Sequence, residues 1–334
     1  MIVLGIETSC DETAVAMVED GRRLLGEAVA SQFDIHARFG GVVPELAGRA
    51  HLRALWPLLD RLAAMGADPR RAEAVAFTRG PGLIGSLLVG TSSAKALAYC
   101  WRLPLVGVNH LQAHLWAPLL ENASIDFPLV GMIVSGGHTM LIHAESLEKS
   151  RVLGATRDDA AGEAFDKVAS LLGLGFPGGP AIERASREGD AKKYRFPRGM
   201  SGSKNLDFSF SGIKTAVIYT LRRFEESATS FRVEDVAASF QAAMVDTLAG
   251  KLIKAVERTG VKTVVLGGGV VANTAFRRRI LSDLPLPEYR VVIPSLRLCT
   301  DNAAMVAAWG LRLLQRKGRD DWSVDADPNL PWEG

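Results

Sequence analysis

The sequence predicts an α/β protein made of two duplicated lobes around a cleft. Three observations carry that prediction. A strand–turn–strand–turn–strand pattern opens the chain, a similar pattern returns after residue 126, and strand–helix units follow each of them. With 334 residues, 48% of them apolar and 23% charged, the chain is long enough for two ordinary domains. It is also too rich in core-forming residues to be disordered. A formal net charge of +2 creates no global field for nucleic acid and leaves only local basic faces to consider. Cys10, Cys100 and Cys299 are odd in number and widely spaced, which argues against a disulfide framework and for a reducing compartment. No signal-type leader precedes the first strand and no apolar run reaches membrane-spanning length. The expectation is therefore a cytoplasmic protein with no membrane attachment.

In chain order, Ile2–Thr8 is apolar and β-branched, Ser9–Glu12 has turn chemistry, and Thr13–Val18 and Leu24–Ala30 read as strands. A buried strand at Glu73–Thr78, a helix of small residues at Ser86–Cys100, a short strand at Leu105–Val108 and a helix from Asn109 follow. The second half repeats the opening: Pro128–Val134 leads into Ser135-Gly-Gly-His138, then Thr139–His143 and Arg151–Thr156 read as strands. "GIETSCDETAVAMVE" and "GMIVSGGHTMLIHAE" share the turn position and its flanking alternation, the mark of an internal duplication. A helix at Ala161–Leu172, a strand at Val261–Leu266, a Gly267–Gly269 turn, a helix at Asn273–Leu284 and a last helix from about Asp301 to Gln315 complete the pattern. The expected division is a first lobe at 1–125, on which the C-terminal helix 301–317 packs back, and a second lobe at 126–300. An insertion falls at about 184–235, and a polar, peripheral tail covers 318–334.

His110 and His114 stand at i and i+4 on one helix face, about 6 Å apart, which suits a shared metal. Asn109 is a good N-cap, so the helix dipole disfavours imidazolium at His110 and leaves the neutral ring that a metal needs. Such a pair also arises as two ordinary helix histidines. Leu111 stands where a zinc protease has its glutamate, so that version of the motif fails. A third ligand has to come from elsewhere; Asp301, taken alone, reads as a helix-capping residue.

The turns Ser9–Glu12 and Ser135–His138 occupy equivalent places, and their backbone N–H groups can converge on phosphate oxygens. Gly136 and Gly137 are expected to supply positive φ angles for such a nest. Both segments are also compatible with plain hairpins, and Ser-Gly-Gly by itself is a weak signal. Asp11 and Glu12 repel a bare phosphate, which calls for a bridging cation or a proton-transfer role. Gly267-Gly-Gly-Val-Val-Ala-Asn273, between a strand and a helix, is either a nucleotide-contact surface or a tight turn. Gly175–Glu183 is a similar turn into a helix, and the Arg79–Gly85 glycine loop opens a first-lobe helix. Basic clusters at Arg277–Arg279 and at Lys192, Lys193 and Arg195 could meet phosphates; Arg70-Arg71 reads as a solvated pair.

Taken together these motifs resemble one family, the tRNA N6-adenosine threonylcarbamoyltransferases of TsaD type, once called O-sialoglycoprotein endopeptidases, in its bacterial form. The matching segments are Gly5–Thr13, Gly40–Glu45, Asn109–His114 and Val134–Thr139, then Asp158–Lys167, Phe208–Thr215, Gly267–Asn273 and Cys299–Asn302. They run in order over nearly the whole chain.

The resemblance implies an actin-like, hexokinase-like (ASKHA) fold and one divalent metal, iron with zinc as the alternative, on His110, His114 and Asp301. It implies that the nucleotide part of threonylcarbamoyl-AMP is contacted by Val134, Ser135, Gly136, Gly137, His138, Asp166, Gly179, Glu183 and Asn273. The implied reaction moves the threonylcarbamoyl group to the exocyclic amine of the adenosine 3′ of the anticodon, in tRNAs reading codons that begin with A. Asp11 or Glu12 is the expected general base. Implied partners are tRNA, a catalytically silent TsaB-type paralogue, a small TsaE-type ATPase and an upstream threonylcarbamoyl-AMP synthase. The alternative is a small-molecule kinase or ATPase of the same fold, although kinases of this fold hold Mg²⁺ through carboxylates and have no use for paired imidazoles. A non-catalytic scaffold is a third reading, disfavoured by the intact ligand set.

Overall fold

The structure, a computed structural model, describes residues 1–121, 125–200, 202, 205–227 and 229–332. Lys204, at the end of the basic stretch that begins at Lys192, lies outside the described residues. The chain divides into two compact units: Met1–Ile125 together with the segment from Pro294, and Asp126–Ile293.

The first unit contains β1 (Ile2–Glu7), β2 (Glu12–Glu19), β3 (Arg23–Ser31), the single-turn α1 (Phe33–His36), α2 (Pro44–Ala64), β4 (Ala74–Gly80), α3 (Ile84–Trp101), β5 (Leu105–Asn109) and α4 (His110–Trp116). Its sheet order is β3-β2-β1-β4-β5, with β1 antiparallel to β2 and parallel to β4. Strands β1, β2 and β4 are buried on both faces, so they read as apolar runs rather than alternations. Leu4, Ile6, Val15, Met17, Val75 and Phe77 from the sheet meet Leu55, Leu58, Leu59 and Leu62 of α2 in one core.

The second unit contains β6 (Leu129–Val134), β7 (Thr139–Ala144), β8 (Ser150–Ala155), α5 (Ala161–Leu171), α6 (Gly178–Ser186), α7 (Ser211–Glu226), α8 (Val233–Thr259), β9 (Thr263–Gly267), α9 (Thr274–Asp283) and β10 (Arg290–Val292). Its sheet order, read outward from β8, is β8-β7-β6-β9-β10, again two antiparallel pairings followed by two parallel ones. The duplication seen in sequence is thus a duplication of sheet topology. The segment 184–235 holds the end of α6, all of α7 and the start of α8; α6 and α7 each pack on α8 and on α5.

The chain then returns to the first unit through the short α10 (Leu296–Cys299) and α11 (Ala303–Lys317). Helix α11 lies on β1, β2, β4 and β5. Small residues make the approach close: a Cβ on Gly5 would stand 2.2 Å from the Ala303 carbonyl oxygen, and one on Gly310 2.4 Å from the Ala76 Cβ. The tail is not peripheral as its polarity suggests. Asp320 N donates to Leu105 O and Asp327 N to Arg79 O, Val324 joins the core, and Leu330 is 5% exposed. It covers the free edge of β5, where unpaired backbone groups would otherwise face water. Among the described residues no helix is long and apolar enough to cross a membrane.

Candidate metal centre

Two chain segments far apart in sequence carry the donors, and local chemistry sets each one. Asn109 caps α4, its Oδ1 accepting from Leu111 N and Gln112 N, as its residue type predicts. Its Nδ2 donates to Pro331 O at 2.8 Å, so the tail also braces the start of this helix. His110 and His114 follow one turn apart, with ring centroids 4.6 Å from each other. On the other segment the cap of α11 is Asn302, whose side chain accepts from Met305 N. Asp301 is therefore not the capping residue its position alone suggests. Its carboxylate faces the two imidazoles, with Oδ1 3.0 Å from His114 Nε2 and 3.6 Å from His110 Nε2.

The three ligand atoms lie within 4.8 Å of one another. Donors bound at about 2.1 Å to one ion, at angles of about 90–110°, stand roughly 3.0–3.5 Å apart, so the separations from Asp301 suit an ion held among them. Two imidazoles and one carboxylate with open positions are a donor set proper to Fe(II) and compatible with Zn(II).

Glu7 supplies what the motif reading lacks. It is fully buried at the end of β1 and accepts from Ser9 N at 2.6 Å, Thr78 Oγ1 at 2.6 Å and His110 Nδ1 at 2.9 Å. Burial alone would neutralise this carboxyl, but the His110 charge and hydrogen bonds outweigh it and hold its pKa below the ordinary value. An ionised Glu7 can only accept, so the proton of His110 sits on Nδ1 and Nε2 is turned toward Asp301. Burial opposes charge on His110, yet Glu7 and Asp301 together lift its pKa to about 9 in the metal-free protein. The signal was present in the sequence as a carboxylate inside an apolar strand, Ile2-Val-Leu-Gly-Ile-Glu7, which only a buried partner can justify.

The Ser9–Glu12 turn lies beside these groups. Ser9 Oγ is 3.3 Å from His110 Nδ1, and Ser9 O accepts from Leu83 N of the glycine loop, where a Cβ on Gly82 would stand 2.5 Å from it. That loop is structural. A buried His51 donates from Nε2 to Cys10 O and accepts from Thr13 Oγ1 at 2.8 Å; burial holds it neutral, which this arrangement requires. Burial and then the Asp301 charge raise the pKa of Asp11, and the same causes push Glu12 to about 8. Burial, followed by the Asp11 charge, drives the Cys10 thiol well above its ordinary value, so Cys10 is no nucleophile.

In the second unit the Ser135–His138 turn is closed by Ser135 N donating to His138 O and by His138 N donating to Ser135 Oγ. Neither Gly136 nor Gly137 adopts a positive φ, contrary to expectation; Gly268 does, at 95°, where a Cβ would stand 2.5 Å from Val134 O. A Cβ on Gly136 or Gly137 would meet nothing within 4 Å, whereas one on Gly162 would stand 2.7 Å from Ser135 O. The turn is thus open on its own side and closely backed by α5.

The other expected nucleotide contacts hold backbone. Asp166 accepts from Gly178 N at 2.7 Å, Glu183 from Thr274 N at 3.2 Å, and Asn273 caps α9 through Phe276 N while donating to Gln241. Gly179 has open space where a side chain would be. Of the Arg277–Arg279 cluster, Arg277 is bonded to Val271 O and Arg279 to Asp283 and Asp246, leaving Arg278 exposed; Lys192, Lys193 and Arg195 are exposed.

Comparison with known proteins places these features. The family model for TsaD, tRNA N6-adenosine threonylcarbamoyltransferase, matches residues 23–308. A protein of that name from Caldicellulosiruptor saccharolyticus is 46% identical over 331 residues, covering 99% of this chain and 98% of the relative. One from Anaeromyxobacter dehalogenans is 50% identical over 330 residues, covering 98% of each. Among solved structures, full-length HypF in its phosphate- and nucleotide-bound form aligns with a TM-score of 0.61 at 15% identity, over 96% of this chain and 56% of that one. The activator of 2-hydroxyisocaproyl-CoA dehydratase from Clostridium difficile aligns at 0.53 and 14%, over 97% and 100%. These likenesses show the actin-like, hexokinase-like (ASKHA) fold. The chain belongs to the TsaD family, the tRNA N6-adenosine threonylcarbamoyltransferases.

Proposed function

We propose that this chain transfers the threonylcarbamoyl group from threonylcarbamoyl-AMP to the exocyclic amine of an adenosine in tRNA, the one 3′ of the anticodon. The observation that supports it most is the meeting of His110, His114 and Asp301 in a family of tRNA N6-adenosine threonylcarbamoyltransferases. An ion held there, Fe(II) on its donor set with Zn(II) as the alternative, would polarise the transferring carbonyl or anchor the donor's polar groups.

An exocyclic adenine amine is a weak nucleophile, so the acyl group has to arrive activated, and a mixed anhydride with AMP offers a good leaving group. Amine nitrogen forms the new C–N bond to the carbamoyl carbon, the C–O bond to the phosphate breaks, and AMP leaves with the electron pair. Asp11 or Glu12 takes the proton that the amine loses. Burial, and after it the Asp301 charge, raises both pKa values; a cation at Asp301 would offset the second cause, which is consistent with that role. In this reading the Ser135–His138 turn, with Val134, Asp166, Gly179, Glu183 and Asn273, receives the nucleotide of the donor. Open space at Gly136, Gly137 and Gly179 supports close approach of a ligand to backbone.

The TsaB-type paralogue, the TsaE-type ATPase and the synthase that makes the adenylate belong to the same proposal. Incubation with unmodified tRNA, threonine, bicarbonate, ATP and those proteins, followed by nucleoside mass spectrometry, tests it. Threonylcarbamoyladenosine is the expected product; its absence while a control enzyme works would overturn the reading. An Asp11→Ala variant with unchanged single-turnover transfer would remove that residue from proton transfer.

A further inference from the structure

A second charged site lies in the first unit. The β2–β3 turn and the last turns of α11 enclose a cavity of about 320 Å³ lined by Asp20, Gly21, Arg22, Leu311, Arg312 and Gln315. Its charges do not balance. The guanidinium groups of Arg22 and Arg312 have no ion-pair or hydrogen-bond partner among the described residues, although both line the cavity. Asp20 is answered by the Met1 ammonium at 2.5 Å, and the neighbouring Glu19 is paired with Arg23. Arg312 is half-buried, and burial followed by the Arg22 charge makes its own charge harder to keep. One turn further along α11 stand two more cations, Arg316 and Lys317, of which Lys317 is paired with Asp320 at 3.0 Å. Arg22 is exposed and Arg312 half-buried, so an anion entering the cavity would meet two guanidinium groups not already committed to a carboxylate.

We propose that this cavity is a phosphate-binding site in which Arg22 and Arg312 clamp one phosphoryl group, with the Gln315 amide as a further donor. Planar guanidinium forks match tetrahedral oxyanions, which favours phosphate over a halide. Two sources share this chemistry: a backbone phosphodiester of the polynucleotide substrate, and a small phosphorylated metabolite. Strand β2 runs from Glu12, beside the metal donors, to Glu19 next to the cavity, a distance on the order of 20 Å. A tRNA engaged at the metal donors is large enough to reach that far, whereas the small acyl donor is not. The polynucleotide source rests on the tRNA reading above; the anion site itself does not.

The test uses full-length, metal-loaded protein with Arg22→Gln, Arg312→Gln and the double variant, all required to unfold near the wild-type temperature in chloride. Inorganic phosphate, against chloride of equal ionic strength, is expected to raise the wild-type unfolding temperature and to leave the Arg312→Gln temperature unmoved. Unmodified tRNA is expected to bind each single variant about three- to tenfold more weakly at low salt, with a salt slope shallower by about 1. A phosphate shift in wild type with unchanged tRNA binding in the variants would support the site and assign it to a small phosphorylated ligand. No phosphate shift in wild type, together with unchanged tRNA binding in the double variant, would overturn the site. A failure of the transferase reading would leave the phosphate shift intact, so the two failures are distinguishable.

Discussion

The Ser9–Glu12 and Ser135–His138 turns occupy the same place in two copies of one sheet topology, yet their chemistries are opposite. In the first, side chains dominate: Glu7, Asp11, Glu12 and His110 crowd a largely buried region beside Asp301, and burial together with neighbouring charges displaces the pKa values of those four. In the second, backbone dominates, and two glycines face open space over a helix start that Gly162 lets come close. Duplication supplied a frame whose turns are presented alike. One turn stands beside the candidate metal ligands, and the other is a surface of amides.

Removing a ligand should break this contrast most severely. Asp301→Ala is expected to lower metal affinity more than about 100-fold, with loss of transfer, as read by metal analysis and single-turnover assay. Next comes the backing of the second turn. Gly268→Ala forces a Cβ against Val134 O at a positive φ and should cost about 3 kcal/mol in unfolding, without altering metal content.

Glu7→Gln tests the tautomer argument. The amide can offer its N–H to His110 Nδ1 and weaken the preference for a free Nε2, so metal affinity should fall about 10- to 100-fold while the fold persists. A titration of metal affinity that leaves wild type and variant superimposed would refute it.

A pH effect follows in the metal-free protein. His110, raised from its ordinary 6.5 to about 9, stabilises the fold fully below pH 6.5 and loses that contribution as pH rises through 9. Glu12, raised from 4.5 to about 8, is favoured protonated in the fold, so its effect weakens the fold as pH rises from 4.5 to about 8, a window that overlaps that of His110. Thermal unfolding should therefore weaken from about pH 6 to 9, and a divalent metal should flatten that dependence. The smallest expected effect is Gly137→Ala, within about 0.5 kcal/mol in unfolding because its Cβ meets nothing, with weaker donor binding as the more sensitive reading.

Much of the frame was legible because the strands are apolar runs bounded by turn residues. Asn109 and Asn273 cap the helices that their residue types mark. Helix α2 was harder to read: its buried stripe of Ala47, His51, Leu55, Leu58, Leu59 and Leu62 is helical in spacing, but Gly48 and Pro57 interrupt the pattern. Helix α8 is buried over most of its surface, so it lacks the one-sided periodicity that identifies a helix. The tail looked peripheral because most of its bonds to the sheet and to Asn109 use backbone carbonyls and N–H groups that every sequence possesses, the Asp320 carboxylate on Gly107 N being a side-chain exception.

Sequence by itself determined the two strand triplets, the helix that places His110 and His114 on one face, and the glycines that permit close packing, since each follows from local periodicity or residue type. Only the tertiary structure decided that Asp301 stands before the cap rather than in it. It alone brought Glu7 against His110 and left Arg22 and Arg312 on one cavity with no ion-pair partner among the described residues. Those outcomes depend on groups meeting across tens or hundreds of intervening residues, and a one-dimensional pattern carries charge and shape but no distance.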